Sequence, residues 1–232
     1  MINQSIILAG GFGTRLGKLT SITPKPLLQV AGRPFLEHLI HNIRSHGVTN
    51  VILSVGYLGQ QIGEYFRDGR KFGVSIDYVF ESKPAGTAGA LLLAREKLEE
   101  NFFAVNGDTF FDIDYSDLAF LHENSHAMAT IALRNIGDIR RYGTVVLENG
   151  RITQFVDRGI TGSGLINGGV YAMRRKIFEW FQTDASFGSL EKDVFPALAG
   201  RNLLAGKEYD GCFVDIGLPE SLEEANQLLK NY

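Results

Sequence analysis

Two cations and two carboxylates in this 232-residue chain sit where they could handle phosphate. Arg15 closes a glycine-rich turn, Leu8-Ala9-Gly10-Gly11-Phe12-Gly13-Thr14, which follows the apolar run Ser5–Leu8, and Lys25 comes ten residues later within Pro-Lys-Pro. Glycine has no Cβ, so the backbone can approach oxygen atoms closely and aim several N–H groups at one anion. An arginine adds a planar fork of donors and a lysine adds a mobile point charge. The same residues would also serve a tight turn carrying two solvated cations. The spacing is not a dinucleotide fingerprint, because its third glycine is missing. It is not a Walker A loop either, because no Gly-Lys-Ser/Thr closes it.

Asn106-Gly107-Asp108 follows the apolar run Phe102–Val105, and Asp215 ends the run Cys212-Phe213-Val214. Open α/β sheets place their sites at the carboxyl ends of such strands. A carboxylate there is costly to bury unpaired. Two of them can hold Mg2+ through oxygen and leave positions for phosphate. Each aspartate alone would equally cap the loop after it. Together with Arg15 and Lys25, the pair points to a nucleotide triphosphate and a metal.

The elements that must carry these residues are legible from periodicity. Ser5–Ala9 reads as a fully buried strand. Phe35, Leu36, Leu39, Ile40 and Ile43 recur at helical spacing, with Pro34 at the start and Gly47 as the stop. Strands at 50–55, 74–80 and 102–106 alternate with helices at 58–66 and 86–98, which implies a parallel sheet with helices on both faces. The second half is richer in strands: 128–134, 142–148, 151–156 and 168–173, with helices at 189–199 and 221–230. The reading is one α/β unit over residues 1–232, a Rossmann-like mixed, mostly parallel sheet with a small β-rich lobe.

Composition narrows the classes. Lys and Arg total 23 against 26 Asp and Glu, a net charge of −3, so the chain has no basic footprint for nucleic acid and must grip any anion locally. Cys212 is the single cysteine, which excludes an intramolecular disulfide and suits a reducing compartment. The first residues lack the basic head and apolar stretch of a signal peptide, and no apolar run approaches membrane-spanning length. A cytoplasmic protein is expected.

The run LAGGFGTRLGKLTSITPKPLLQVAGRPFLEHLI, followed in order by PAGTAGAL, NGDTFFDID, GLINGGVY and FVDIGLPES, resembles the sugar-1-phosphate nucleotidyltransferases over nearly the whole chain. NGDTFFDID, RYGTV and GLINGGVY most resemble the heptose-1-phosphate guanylyltransferases within that family. The resemblance implies attack of a sugar 1-phosphate on the α-phosphorus of an NTP, with pyrophosphate leaving. It implies that Arg15 holds the leaving phosphates, Lys25 the α-phosphate, and Asp108 and Asp215 magnesium. It places Leu8, Ala9, Gly10, Gly11, Gly13, Thr14, Glu81, Gly86, Thr87, Asn106 and Gly107 around the nucleotide, in a part spanning about 1–115. The sugar then falls to Gly143, Asp157, Arg158, Asn167 and Gly168, within about 116–232. Arg158 departs from the lysine many relatives have there, and the two cations are not equivalent. The partners implied are NTP and sugar 1-phosphate, with a homo-oligomer open. The chain ends soon after Leu229, so a C-terminal β-helix domain is not expected.

Glu81 bears on the base. A carboxylate only accepts hydrogen bonds, which matches the adjacent N1–H and N2 amino donors of guanine and opposes the carbonyls of thymine or uracil. GTP is therefore the expected nucleotide, although glutamate here would equally suit a strand end. The competing readings are a mannose-1-phosphate guanylyltransferase, a UTP- or dTTP-using relative, and a catalytically silent nucleotide-binding regulator. Retention of all four charged residues opposes the last.

Overall fold

The computed structural model describes residues 2–156, 161–181 and 188–232. Its strands are β1 (Gln4–Ala9), β2 (Gln29–Val30), β3 (Arg33–Pro34), β4 (Asn50–Val55), β5 (Ser75–Phe80), β6 (Asn101–Asn106), β7 (Thr109–Phe111), β8 (Ala129–Ile136), β9 (Thr144–Glu148), β10 (Arg151–Val156), β11 (Gly164–Arg174), β12 (Leu204–Glu208) and β13 (Phe213–Asp215). The helices are α1 (Phe35–Ser45), α2 (Gly59–Phe66), α3 (Gly86–Ala94), α4 (Tyr115–Glu123), α5 (Phe195–Ala199) and α6 (Pro219–Leu228). Nine of the strands form one sheet in the order β5-β4-β1-β6-β11-β8-β12-β10-β9.

The first four strands in that order are mutually parallel, with β1 aligned from Gln4↔Asn50 on one side and Ser5↔Phe103 on the other. Lying between two strands, with a helix layer on each face, β1 must be apolar on both sides, which is why Ile6 and Ile7 are fully buried. Helices α1 and α2 pack their apolar stripes with Ile7, Leu53 and Val105 on one face. Helix α3 packs Ala88, Leu91 and Ala94 on the other, with Ile6, Phe102 and Ala104. The chain steps outward from β1 to β4 to β5 and then returns to the far side of β1 as β6. The order reverses between β1 and β6, and that switch point opens a crevice at their carboxyl ends.

Strand β11 continues the sheet antiparallel to β6 and to β8, and β12 runs parallel to β8. Beyond β12, β10 and β9 form a hairpin, and Thr144 of β9 returns to pair with Ile166 of β11. That return closes the β-rich end of the sheet onto β11. The pairing of β11 with β8 is interrupted between Asn167 and Tyr171, where Gly168 and Gly169 bulge.

Several elements lie outside the sequence expectation. The segment 189–199, read as one helix, is a π-helical turn at Leu190–Val194 followed by the short α5. Pro196 supplies no N–H to the preceding turn, so the chain widens there. Helix α4 was not expected, because its hydrophobic periodicity is weak. Asp114 caps it, accepting from the Ser116 and Asp117 N–H groups at 2.9 and 3.0 Å. Strands β12 and β7 and the pairing of β7 with the expected strand ending at Asp215 are also new, and they depend on partners distant in sequence. No described helix is long and apolar enough to cross a membrane.

Candidate active site

The crevice holds a cavity of about 330 Å³ lined by the glycine turn, Lys25, Glu81, the start of α3 and Asn106-Gly107-Asp108. Of the residues expected around the nucleotide, Leu8, Ala9, Gly10, Gly11, Glu81, Gly86, Thr87, Asn106 and Gly107 line it. Gly13, at φ +64°, turns the chain out of the loop into a 3-10 stretch from Thr14 that carries Arg15. Its Cβ would meet Thr20 and Lys25, so this position needs glycine for both conformation and space. Gly107 crosses against β1, donating its N–H to Leu8 O at 2.9 Å, and a Cβ there would lie 2.6 Å from that oxygen.

Lys25 is 7% exposed, and its ammonium donates to Asp108 Oδ2 at 2.7 Å. The Asp108 side chain keeps 39% of its surface open. Burial works to raise the Asp108 carboxyl, but Lys25, Thr109 and Arg15 outweigh it, leaving the group below the ordinary carboxylate range and ionised at neutral pH. The ribbon of β7 with β13 pairs Asp215 with Thr109, one residue from Asp108, and Ile216 N–H donates to Asp108 O at 2.9 Å. Two aspartates 107 positions apart in sequence thus share one edge of the crevice. Asp215 Oδ1 accepts from the Gly217 N–H. The Arg15 guanidinium lies over Gly217, where a Cβ would come 3.1 Å from its Nη2. Arg15, Lys25, Asp108 and Asp215 are therefore brought together, as expected.

The donor set suits a hard divalent cation. Both groups are carboxylates, and each leaves oxygen capacity beyond its protein partner. Among the described residues no three acidic, His or Cys side chains are placed to hold a metal ion by themselves, so phosphate oxygens or water would have to complete the coordination.

Glu81 lies beneath the glycine turn, where a Cβ on Gly10 would strike its carboxylate. Ser54 Oγ donates to Oε1 and Ala85 N–H to Oε2, both at 3.1 Å. Each oxygen has one protein donor and a further lone pair toward the cavity. At the β11 bulge, Asn167 Oδ1 accepts from Gly169 N–H and its Nδ2 donates to Tyr171 Oη, both at 2.9 Å. Gly168 is demanded by packing, since a Cβ would sit 2.5 Å from the Phe111 ring and 2.7 Å from Ala132 O. Gly143 precedes β9 and approaches Val156 O. Asp157 and Arg158 lie outside the described residues.

Sequence reasoning missed several residues. Phe12, Pro26, Pro84 and Ala90 complete the cavity wall. Arg141 and Tyr142 share a second cavity with Asp215, although the Arg-Tyr-Gly run that flagged Gly143 contains both. The Tyr142 hydroxyl is pushed up by burial and then by the Asp215 charge, which places it beside that carboxylate.

The family described as Nucleotidyl transferase matches residues 4–231. The chain is 36% identical over 230 residues to a D-glycero-alpha-D-manno-heptose 1-phosphate guanylyltransferase of Aneurinibacillus thermoaerophilus, covering 99% of both. It is 36% identical over 224 residues to a mannose-1-phosphate guanyltransferase beta-A of Xenopus laevis, covering 94% of this chain and 62% of that one. The crystal structure of HddC from Yersinia pseudotuberculosis complexed with GMP-PN superposes with a TM-score of 0.85 at 30% identity, over 97% of this chain and 99% of the other. A family match over residues 4–231 and 36% identity across nearly the full length of a guanylyltransferase show that this chain belongs to the nucleotidyl transferase family and is a sugar-1-phosphate nucleotidyltransferase.

Proposed function

We propose that this chain joins GTP to D-glycero-alpha-D-manno-heptose 1-phosphate, releasing pyrophosphate and a GDP-sugar for surface polysaccharide synthesis. The observation that carries the reading is the 99% mutual coverage with the heptose 1-phosphate enzyme, on a site where Lys25 and Asp108 close one wall of the nucleotide cavity. The placement of Glu81 under the base side of the glycine turn supports guanine. The nucleotide occupies the part formed by about 1–115 and the sugar that formed by about 116–232.

A phosphate oxygen of the sugar 1-phosphate attacks the α-phosphorus as the bond to the β-phosphate oxygen breaks. The second pKa of a phosphate monoester is about 6, so the nucleophile is already ionised at neutral pH and no general base is needed. What remains is alignment and charge neutralisation. Lys25, anchored by Asp108, meets the α-phosphate. Arg15, on the exposed 3-10 stretch, meets the leaving pyrophosphate. Gly10, Gly11 and Gly13 bring backbone N–H groups to the phosphates, and Thr14, Gly86, Thr87, Asn106 and Gly107 frame the nucleotide. Asp108 and Asp215 would hold Mg2+, which when bound supplies Lewis-acid charge stabilisation. Gly143, Asn167 and Gly168 face the sugar, and Asp157 and Arg158 are its further expected contacts. The reaction belongs in the cytoplasm, where nucleoside triphosphates are available.

Product mass analysis across four NTPs, each with heptose 1-phosphate and mannose 1-phosphate, tests the reading. GDP-heptose as the dominant product is expected. Dominant GDP-mannose or a UDP- or dTDP-sugar would replace the substrate assignment, and pyrophosphate release from none of the pairs would refute the activity.

A further inference from the structure

Glu191 is a half-buried carboxylate that the transfer chemistry leaves unused. It lies in the π-helical turn packed beside the start of α3 and makes no ion pair among the described residues. Three hydroxyls surround it instead. Ser189 Oγ donates to Oε2 at 2.9 Å, Thr87 Oγ1 to Oε2 at 3.4 Å, and Tyr171 Oη to Oε1 at 3.4 Å. Thr87 lines the nucleotide cavity, and Tyr171 is fully buried in β11 at the bulge that carries Asn167.

The directions of these bonds are constrained. Asn167 Nδ2 donates to the Tyr171 oxygen at 2.9 Å. The Asn106 side chain also interacts with the Tyr171 hydroxyl, and of the three neighbours Glu191 is the carboxylate, which can only accept, so the single phenolic proton points to it. Asn167 Oδ1 is committed to the Gly169 N–H at 2.9 Å, which must meet an oxygen. The Asn167 amide therefore has one orientation, with one N–H and one lone pair left for a ligand. Such a side-by-side donor and acceptor suits two neighbouring hydroxyls of a sugar ring.

We propose that Glu191 is a positioning residue for sugar selection: by taking the Tyr171 proton it keeps the phenol oxygen an acceptor for Asn167 Nδ2, and so holds the Asn167 amide, whose orientation the Gly169 N–H fixes, toward the sugar hydroxyls. The inference rests on the sugar 1-phosphate reading of the site. A glutamine at 191 presents both donor and acceptor, so it can donate to Tyr171, whose proton then turns against the Asn167 Nδ2–H and leaves that amide held only by the Gly169 N–H. A purely structural Glu191 would tie the 188–191 segment to α3 and nothing more.

The test uses the full chain with Glu191→Gln, Glu191→Asp and Tyr171→Phe. For each, kcat and KM are measured with manno- and gluco-configured sugar 1-phosphates, and GTP affinity is measured by calorimetry without sugar. Glu191→Gln and Tyr171→Phe are expected to raise the KM for the preferred sugar by about tenfold, the scale of one lost hydrogen bond. The same two variants should narrow the manno-to-gluco ratio of kcat/KM, while GTP affinity stays within about twofold. Glu191→Asp, which still only accepts, should keep the ratio nearer wild type. If Glu191→Gln does not fold, Tyr171→Phe carries the same comparison with the charge intact. An active wild type whose variants keep the wild-type ratio, or lose GTP and sugar affinity equally, overturns this inference alone. A wild type that transfers to no sugar 1-phosphate overturns it together with the substrate reading.

Discussion

Lys25 is a buried ammonium whose charge is matched by one carboxylate among the described residues, and this makes Asp108 and Asp215 unequal. Asp108→Asn and Asp215→Asn should each lower turnover by roughly a hundredfold or more, through lost charge stabilisation at the transferring phosphate. Only Asp108→Asn leaves Lys25 without its counter-charge, so it should also cost about 1–3 kcal/mol of stability. Denaturant midpoints measured beside kcat would separate the two variants, and equal stability losses would contradict the pairing. Arg15 is exposed and its contacts are at the edge of the site. Arg15→Ala should therefore leave stability unchanged and lower kcat on the order of a hundredfold, because its target charge grows toward the transition state. A raised GTP KM with unchanged kcat would show ground-state binding instead. Glu81→Gln should weaken the preference for GTP over UTP by roughly 1–3 kcal/mol, read from direct competition between the two nucleotides. An unchanged ratio would leave Glu81 as the organiser of the Ser54 and Ala85 contacts alone.

At the level of elements, the glycine turn after β1 is held by the turn after β4. A Cβ on Gly56 would lie 2.7 Å from the Gly10 carbonyl oxygen, a backbone atom that can yield only by moving the turn. A Cβ on Gly10 meets instead the far end of the Glu81 side chain, which can swing away. Gly56→Ala should thus destabilise the protein by about 1–3 kcal/mol and weaken GTP binding with it. Gly10→Ala should keep most of its stability and lose base discrimination as Glu81 is displaced. Melting curves paired with GTP and UTP titrations would check both. The ribbon of β7 and β13 works similarly: it is short, and its function is to carry Asp215 to Asp108.

Across the whole molecule, the continuous sheet joins the nucleotide side to the β-rich end, and α4 braces its far face against β8. His122 of α4 is fully buried, with Nδ1 2.9 Å from Thr130 Oγ1, and Arg174 donates to the His122, Ser125 and Ala127 carbonyls at 2.8–3.1 Å. Burial, then the Arg174 charge, push the His122 pKa down to about 3. A depressed folded pKa means this group favours the native state fully above its unfolded value near 6.5. That contribution is lost as pH falls from there toward about 3. The slope should approach about 1.4 kcal/mol per pH unit within that window. Denaturation at pH 7 and pH 5 should show a larger loss for wild type than for His122→Asn, and parallel losses would place the acid sensitivity elsewhere.

The local pattern was enough for β1, α1, β4, α2, β5, α3 and β6, because elements such as β1, β4 and α1 are each coded by a periodicity and by their own stop signals. It was also enough for the phosphate grip, since three glycines, Arg15 and Lys25 fall within one short stretch. Helix α4 was hidden because its burial comes from Arg174 and β8 rather than from a regular apolar stripe. The broken helix at 189–199 was hidden because its π-helical turn is stabilised by Thr87, a hundred residues away. Only the tertiary structure could decide that Asp215 stands beside Asp108, that Lys25 is buried against it, and that Glu191 faces Tyr171. Each of these depends on strand register between distant segments, and register is set by the packing of the whole sheet, whose strands the sequence lists without saying which lie side by side.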